Sequence, residues 1–222
     1  MIAVLFGTNS RMIRAVLFDL GGVVLDSPLA VFAAYEQELG LPVHTLNKAI
    51  VGAGHAGAWA RLERGELTMR EFFGAFDAEL AAGQVRISAE ALMTKIADNT
   101  QLRPAMLTAI RTIRSAGLKV GALTNNWASD DQFHKMDVLR PEFDVFIESA
   151  KVGLRKPDPK IYELACGAFG LGPAEVAFLD DIGANLKAAR ALGMTTLKVD
   201  DYQKTLRELG ALVNLELLAP QP

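Results

Sequence analysis

Apolar residues fall along this chain in two rhythms. "IRAVLF" at 13–18, "KVGALT" at 119–124, "DVFIES" at 144–149 and "EVAFLD" at 175–180 are short, almost unbroken runs, and "TTLKV" at 195–199 is a shorter one. Runs of this length, bounded by carboxylates, glycines and turn residues, predict strands buried on both faces. The stretches 103–115, 158–169 and 184–192 instead place apolar residues three and four apart, the spacing of a helix with one buried side. Strand, helix, strand in this order predicts an α/β fold, a mostly parallel sheet with helices on both faces.

Residues 29–98 interrupt the rhythm. "LAVFAAYEQELG", "HAGAWARLERGE", "TMREFFGAFDAELAAG" and "SAEALMTKIADN" are helical in pattern, with glycine, proline, serine and threonine between them and no good strand. The chain therefore divides into an α/β core over 1–28 and 99–222 and a helical insert over 29–98. Phe72, Phe73, Phe76 and Leu80 form the stripe expected to become the insert's own core. Residues 1–12 read as an extension, with the fold beginning at Ile13.

Composition narrows the function. The 222 residues suffice for one sizeable core plus an accessory unit. With 23 basic against 26 acidic residues and no long basic block, nucleic acid is not an expected partner. No stretch reaches the roughly 18 apolar residues of a membrane span, and the start lacks a signal-peptide pattern. A single cysteine, Cys166, excludes an intrachain disulfide and a cysteine zinc cluster, so a reducing, cytoplasmic setting is expected. His44, His55 and His134 have no second ligand at metal-site spacing. The sequence leaves monomer and homodimer equally open.

In doubly wound sheets ligands bind beyond the carboxyl ends of the strands. The residues there are Asp19, the Thr124–Asn125–Asn126 run, Ser149, and the Asp180–Asp181 pair. Asp19 and Asp181 could share a hard divalent cation, without which carboxylates at one mouth repel each other and any phosphate. The Thr124 hydroxyl and Asn125 amide can donate to phosphoryl oxygens. Lys156, in "VGLRKPDPKIY", supplies positive charge from a proline-bounded turn, while Arg155 is expected to face solvent. Trp127 directly follows "TNN" and is a candidate for the entrance; Trp59 is ambiguous between packing and substrate contact. An aspartate after a strand can simply cap a turn. Four such features at one sheet edge argue together for a site.

"VLFDLGGVVLDS", "ALTNN", "ESAKVGLRKPDPKIYELA" and "VAFLDDIGANLKAARALGMTTLKV" resemble the four motifs of the haloacid dehalogenase-like hydrolase superfamily. They are most similar to the phosphatase-like branch that includes the amino-terminal domain of soluble epoxide hydrolase and domains fused to acyl-CoA dehydrogenases. The resemblance covers about residues 13–213. It implies a Rossmann-like core with an inserted C1-type helical cap, Mg2+ as cofactor and a small phosphorylated substrate. It makes Asp19 the nucleophile, Thr124 and Asn125 phosphate contacts, and Lys156 the third-motif lysine. Asp19, Asp181 and the Gly21 carbonyl become magnesium ligands, Asp180 a water-mediated one, and Asn185 a residue orienting the loop; Asn126 and Trp127 are supporting candidates from their positions in the chain after Thr124.

The superfamily's phosphatases usually carry an acid-base aspartate two residues after the nucleophile, and here that position is Gly21. Losing such a group commonly costs ~10²- to 10⁴-fold in rate. Asp26 is a weak replacement five residues on and could equally cap the next helix. The expectation is a slow phosphohydrolase working through an aspartyl-phosphate. The alternatives are a metal-independent 2-haloacid dehalogenase, and a catalytically impaired phosphate-ligand or protein-binding module.

Overall fold

The computed structural model describes residues 12–128 and 135–218; residues 1–11 of the expected extension and His134 lie outside the described residues. The five apolar runs form one parallel sheet: β1 (Ala15–Phe18), β2 (Lys119–Thr124), β3 (Val145–Glu148), β4 (Val176–Asp180) and β5 (Thr195–Lys198), in the order β3-β2-β1-β4-β5. β1 lies between β2 and β4, with Phe18 in register with both Ala122 and Leu179. The strand order reverses at β1, so its carboxyl end opens into the crevice of the sheet.

Alternation along each strand feeds two cores. Val16, Phe18, Val120, Ala122, Ala177 and Leu179 pack against α6 (Pro104–Ser115) and α11 (Tyr202–Val213) on one face. Ala15, Leu17, Leu123, Val176 and Phe178 pack against α9 (Pro159–Phe169) and α10 (Gly183–Ala191) on the other. Gly121 is a glycine because Phe169 lies over it: a Cβ there would stand 2.5 Å from the ring. The chain between β2 and α9 also forms the short helices α7 (Lys135–Leu139) and α8 (Ser149–Val152).

Between β1 and α6 come five helices: α1 (Pro28–Glu38), α2 (Thr45–Ala53), α3 (Ala58–Glu63), α4 (Met69–Ala82) and α5 (Ala89–Asn99). They bury a separate cluster in which Phe72, Phe76 and Leu80 are almost wholly inaccessible, Phe73 is partly buried, and Trp59 meets Phe32, Phe72 and Phe76 edge-on. Each fully buried Phe contributes about 1.5–3 kcal/mol of transfer free energy. Trp127, from the chain after β2, packs on this cluster with its ring 6.1 Å from that of Trp59. The insert's two connections run side by side: the Asp26 amide donates to Gln101 O at 2.9 Å and the Arg103 amide to Val24 O at 2.9 Å.

Local sequence explains most of these helices. Thr68 and Glu71 cap α4 reciprocally, and Ser88 caps α5. Helix α2 is different. Its N-cap, His44, has φ +68° and no capping side chain, and the amides of His44 and Leu46 donate instead to the buried carboxylate of Glu36 on α1, both at 2.7 Å. A cap supplied from another helix leaves no local start signal, which is why 45–53 does not announce itself in the sequence. Among the described residues no helix is long and apolar enough to cross a membrane.

Candidate active site

Strands β1, β2 and β4 end side by side, and the residues following them converge. Asp19 leaves β1 with its Oδ1 accepting the Leu20 amide at 2.7 Å and lying 2.8 Å from Lys156 Nζ. Lys156 Nζ also donates to Asp180 Oδ2 at 2.8 Å, so one ammonium bridges the ends of two adjacent strands. It is 1% exposed and lies 5.5 Å from the centre of the Phe178 ring, an environment in which a cation without partners would be expensive.

Asp180 is saturated by protein. Beyond Lys156 it accepts from the Ile182 amide at 2.7 Å and from Asn185 Nδ2 at 3.0 and 3.1 Å, while the Tyr162 hydroxyl donates to Asn185 O at 3.0 Å. The Asn185 side chain thus orients the Asp180 carboxylate. Asp181 is more open: Ser27 Oγ donates to its Oδ2 at 3.3 Å. Ser27 also caps α1, so it ties the beginning of the insert to the acidic cluster.

Oxygens of Asp19, Asp180 and Asp181 all lie within 4.8 Å of one another. Three carboxylates against the one ammonium leave two negative charges, which a divalent cation would neutralise with the all-oxygen donor set that magnesium prefers. Electrostatics agree. Burial, with repulsion from Asp180 and Asp181, pushes the Asp19 carboxyl well above the usual range against the opposing pull of Lys156. Burial and then Asp180 raise Asp181 likewise, partly offset by Lys156 and Ser27. Burial alone would lower Lys156, but Asp180 and Asp19 more than reverse it, and the lysine is held as a cation. The donor set fits the metal.

Thr124 ends β2 with a buried side chain whose hydroxyl donates to the Asn125 carbonyl at 3.4 Å. Asn125 clasps Lys156 by its main chain: Oδ1 accepts the Lys156 amide at 2.8 Å and Nδ2 donates to the Lys156 carbonyl at 3.0 Å. Its amide is committed to holding the lysine. Asn126 turns toward β3, where its backbone amide donates to Ser149 Oγ at 2.9 Å and its Nδ2 to Glu148 at 3.3 Å.

Two expectations need correction. Arg155 does not face solvent; its side chain is 24% exposed and paired with Glu63 of α3 at 2.6 Å. Asp26 does not cap α1, which Ser27 does; Asp26 lies 3.5 Å from Arg103. Arg103 also donates to the carbonyls of Gly22 at 2.7 Å and Val23 at 3.3 Å, bracing the loop after Asp19. The sequence reading did not find Ser27, Glu63 or Arg103. A serine before "PLAVF" was the only local signal among them.

The remaining residues are structural in their surroundings. His55 Nδ1 faces Arg64 at 3.3 Å, and buried Cys166 in α9 has its thiol pushed up by burial. Cavities of about 440 and 480 Å³ lie beside α11 and beside Arg114 and Lys119, and neither is lined by a candidate residue.

Comparison with known proteins agrees with this arrangement. The chain is 39% identical over 215 residues to mouse acyl-CoA dehydrogenase family member 10, covering 95% of itself but only 20% of that protein. It thus spans about a fifth of that relative's length. It is 29% identical over 206 residues to the sesquiterpene phosphatase astK of Aspergillus oryzae, covering 90% of itself and 96% of that enzyme. The crystal structure of a HAD family enzyme from Bacteroides thetaiotaomicron, in complex with magnesium and inorganic phosphate, shares the fold with TM-score 0.60 and 20% identity, over 86% of this chain and 98% of that one. A family model for haloacid dehalogenase-like hydrolase matches residues 13–193, and the chain belongs to that family.

Proposed function

We propose that this protein is a magnesium-dependent phosphohydrolase that acts on a small phosphate monoester through an aspartyl-phosphate at Asp19. The observation that carries the reading is the trio Asp19, Asp180 and Asp181 around one buried lysine. A haloacid dehalogenase needs no cation and would leave this excess negative charge uncompensated.

In this reading Asp19 and Asp181 would hold the metal with the Gly21 carbonyl, while Asp180, whose oxygens are taken up by Lys156, Ile182 and Asn185 rather than left for the expected metal-bound water, anchors the lysine beside it. Bound there, magnesium supplies charge neutralisation for a phosphoryl group. Asp19 attacks phosphorus in line, and the substrate oxygen departs as the bond to Asp19 forms. Lys156 neutralises a phosphoryl oxygen, and the Thr124 hydroxyl donates to another. Asn125 acts through Lys156, whose backbone it fixes. Helices α1–α5 serve as a cap over the strand ends, excluding water and selecting the leaving group.

Gly21 supplies no acid-base carboxylate, so departure of a basic alcohol and hydrolysis of the aspartyl-phosphate are slow. Aryl and acyl phosphates, whose aryloxide and carboxylate leaving groups depart without a proton, are the favoured substrates. Phosphatase activity in a relative that the chain matches nearly end to end supports the class of reaction.

Phosphate release from an aryl phosphate, with magnesium and with chelator, tests this directly. Metal-dependent release that disappears in Asp19→Asn supports it. Halide release from a 2-haloacid in chelator, without phosphatase activity, would transfer the chain to dehalogenase chemistry. Tight binding of phosphate compounds without turnover would make it a binding module.

A further inference from the structure

Glu63 ends α3 in the insert, yet its carboxylate is buried against the core. Oε2 accepts from Arg155 Nε at 2.6 Å and lies 3.5 Å from Asn125 Nδ2, while Oε1 accepts from Trp59 Nε1 at 3.0 Å. Both core residues it meets adjoin Lys156. Arg155 is its chain neighbour, and Asn125 holds both its amide and its carbonyl. The approach of the two units is fixed by backbone as well: at Gly65, with φ +69°, a Cβ would stand 2.3 Å from Ala150 O in α8.

Packing alone does not account for an acid here. Desolvating a carboxylate and a guanidinium costs several kcal/mol, and an apolar pair of similar volume would close the seam at less expense. A charged pair differs in fixing direction, since the guanidinium fork has a defined geometry.

We propose that Glu63 is a positioning residue for Lys156: seated in the insert, it holds Arg155 and Asn125, and through them sets the reach of the lysine toward Asp19. Seating of the insert and placement of the lysine are then one event. The kinetic part of this proposal rests on the phosphohydrolase reading above.

Glu63→Gln keeps an oxygen for Trp59 and removes the charge; Arg155→Met removes the other partner. In each, hydrogen exchange of the Lys156 amide should quicken. With magnesium and an aryl phosphate, kcat per folded molecule should fall by about 10- to 100-fold, as for other misplaced catalytic groups, with KM little changed. The double variant should be no worse than the poorer single one. Thermal melts identify the folded fraction. Wild-type exchange at Lys156 together with wild-type kcat, whatever happens to the melting temperature, would overturn the proposal and make Glu63 a strut of the insert. If the wild type releases no phosphate, the phosphohydrolase reading falls, and exchange at Lys156 alone decides the role of Glu63.

Discussion

Gly22 and Asp181 touch across the loop after β1: a Cβ built on Gly22 would lie 2.1 Å from Asp181 Oδ2. Gly22 also has φ +77°, which costs other residues about 1–2 kcal/mol. Gly22→Ala should therefore lower stability by at least that amount and displace the Asp181 carboxylate. Calorimetric melting and a magnesium titration would check both, and unchanged metal affinity would remove Asp181 from the metal site.

Gly21 has no such constraint. Its φ is not positive, and among the described residues an added Cβ would meet only Pro28 Cδ, at an ordinary 3.6 Å. Gly21→Asp should fit and restore a proton-transfer group, raising turnover of alkyl phosphates by about tenfold or more. Asp19→Asn should abolish turnover, by more than ~10³-fold. Single-turnover kinetics would show whether the gain falls in hydrolysis of the intermediate.

Lys156 separates two buried carboxylates, and Lys156→Met would leave Asp19 and Asp180 unpaired. Removing one member of a buried charge cluster typically costs about 3–5 kcal/mol. Urea unfolding in chelator should show a loss of this size, partly recovered by magnesium. A loss below about 1 kcal/mol, the scale of an exposed pair, would contradict the burial of this network.

The acidic cluster also predicts an unusual pH dependence. Because Asp181 is raised above its unfolded value near 3.8, the folded protein keeps that proton to higher pH than the unfolded chain. Stability from this group is present at low pH and lost as pH rises through the raised value. Metal-free Asp181→Asn should thus melt higher than wild type at neutral pH, with the difference shrinking on acidification. A difference independent of pH would exclude the linkage.

Much of this was legible in the sequence, for identifiable reasons. All five strands follow from short apolar runs, although β5, at the sheet edge, is only partly buried; strand-end chemistry picked out Asp19, Asp180 and Asp181, and a proline-bounded turn Lys156, which the structure brings together. What escaped depends on contacts distant in sequence. Helix α2 is capped from α1 by Glu36, and Arg155 reads as a solvent residue until Glu63, 92 positions earlier, is placed beside it. Helix α11 is a different omission: Asp201 caps it locally, and Leu206 and Leu209 mark its buried side, a pattern the sequence does contain.

The seam between sheet and insert has one more property. The chain has two tryptophans, and both are there, Trp59 from α3 and Trp127 from beyond β2, edge to face at 6.1 Å. Their emission therefore comes wholly from that junction, undiluted by any indole elsewhere. The native protein carries its own optical gauge, in which parting of the two rings would reach the detector as a red shift on contact with water, with no dye attached.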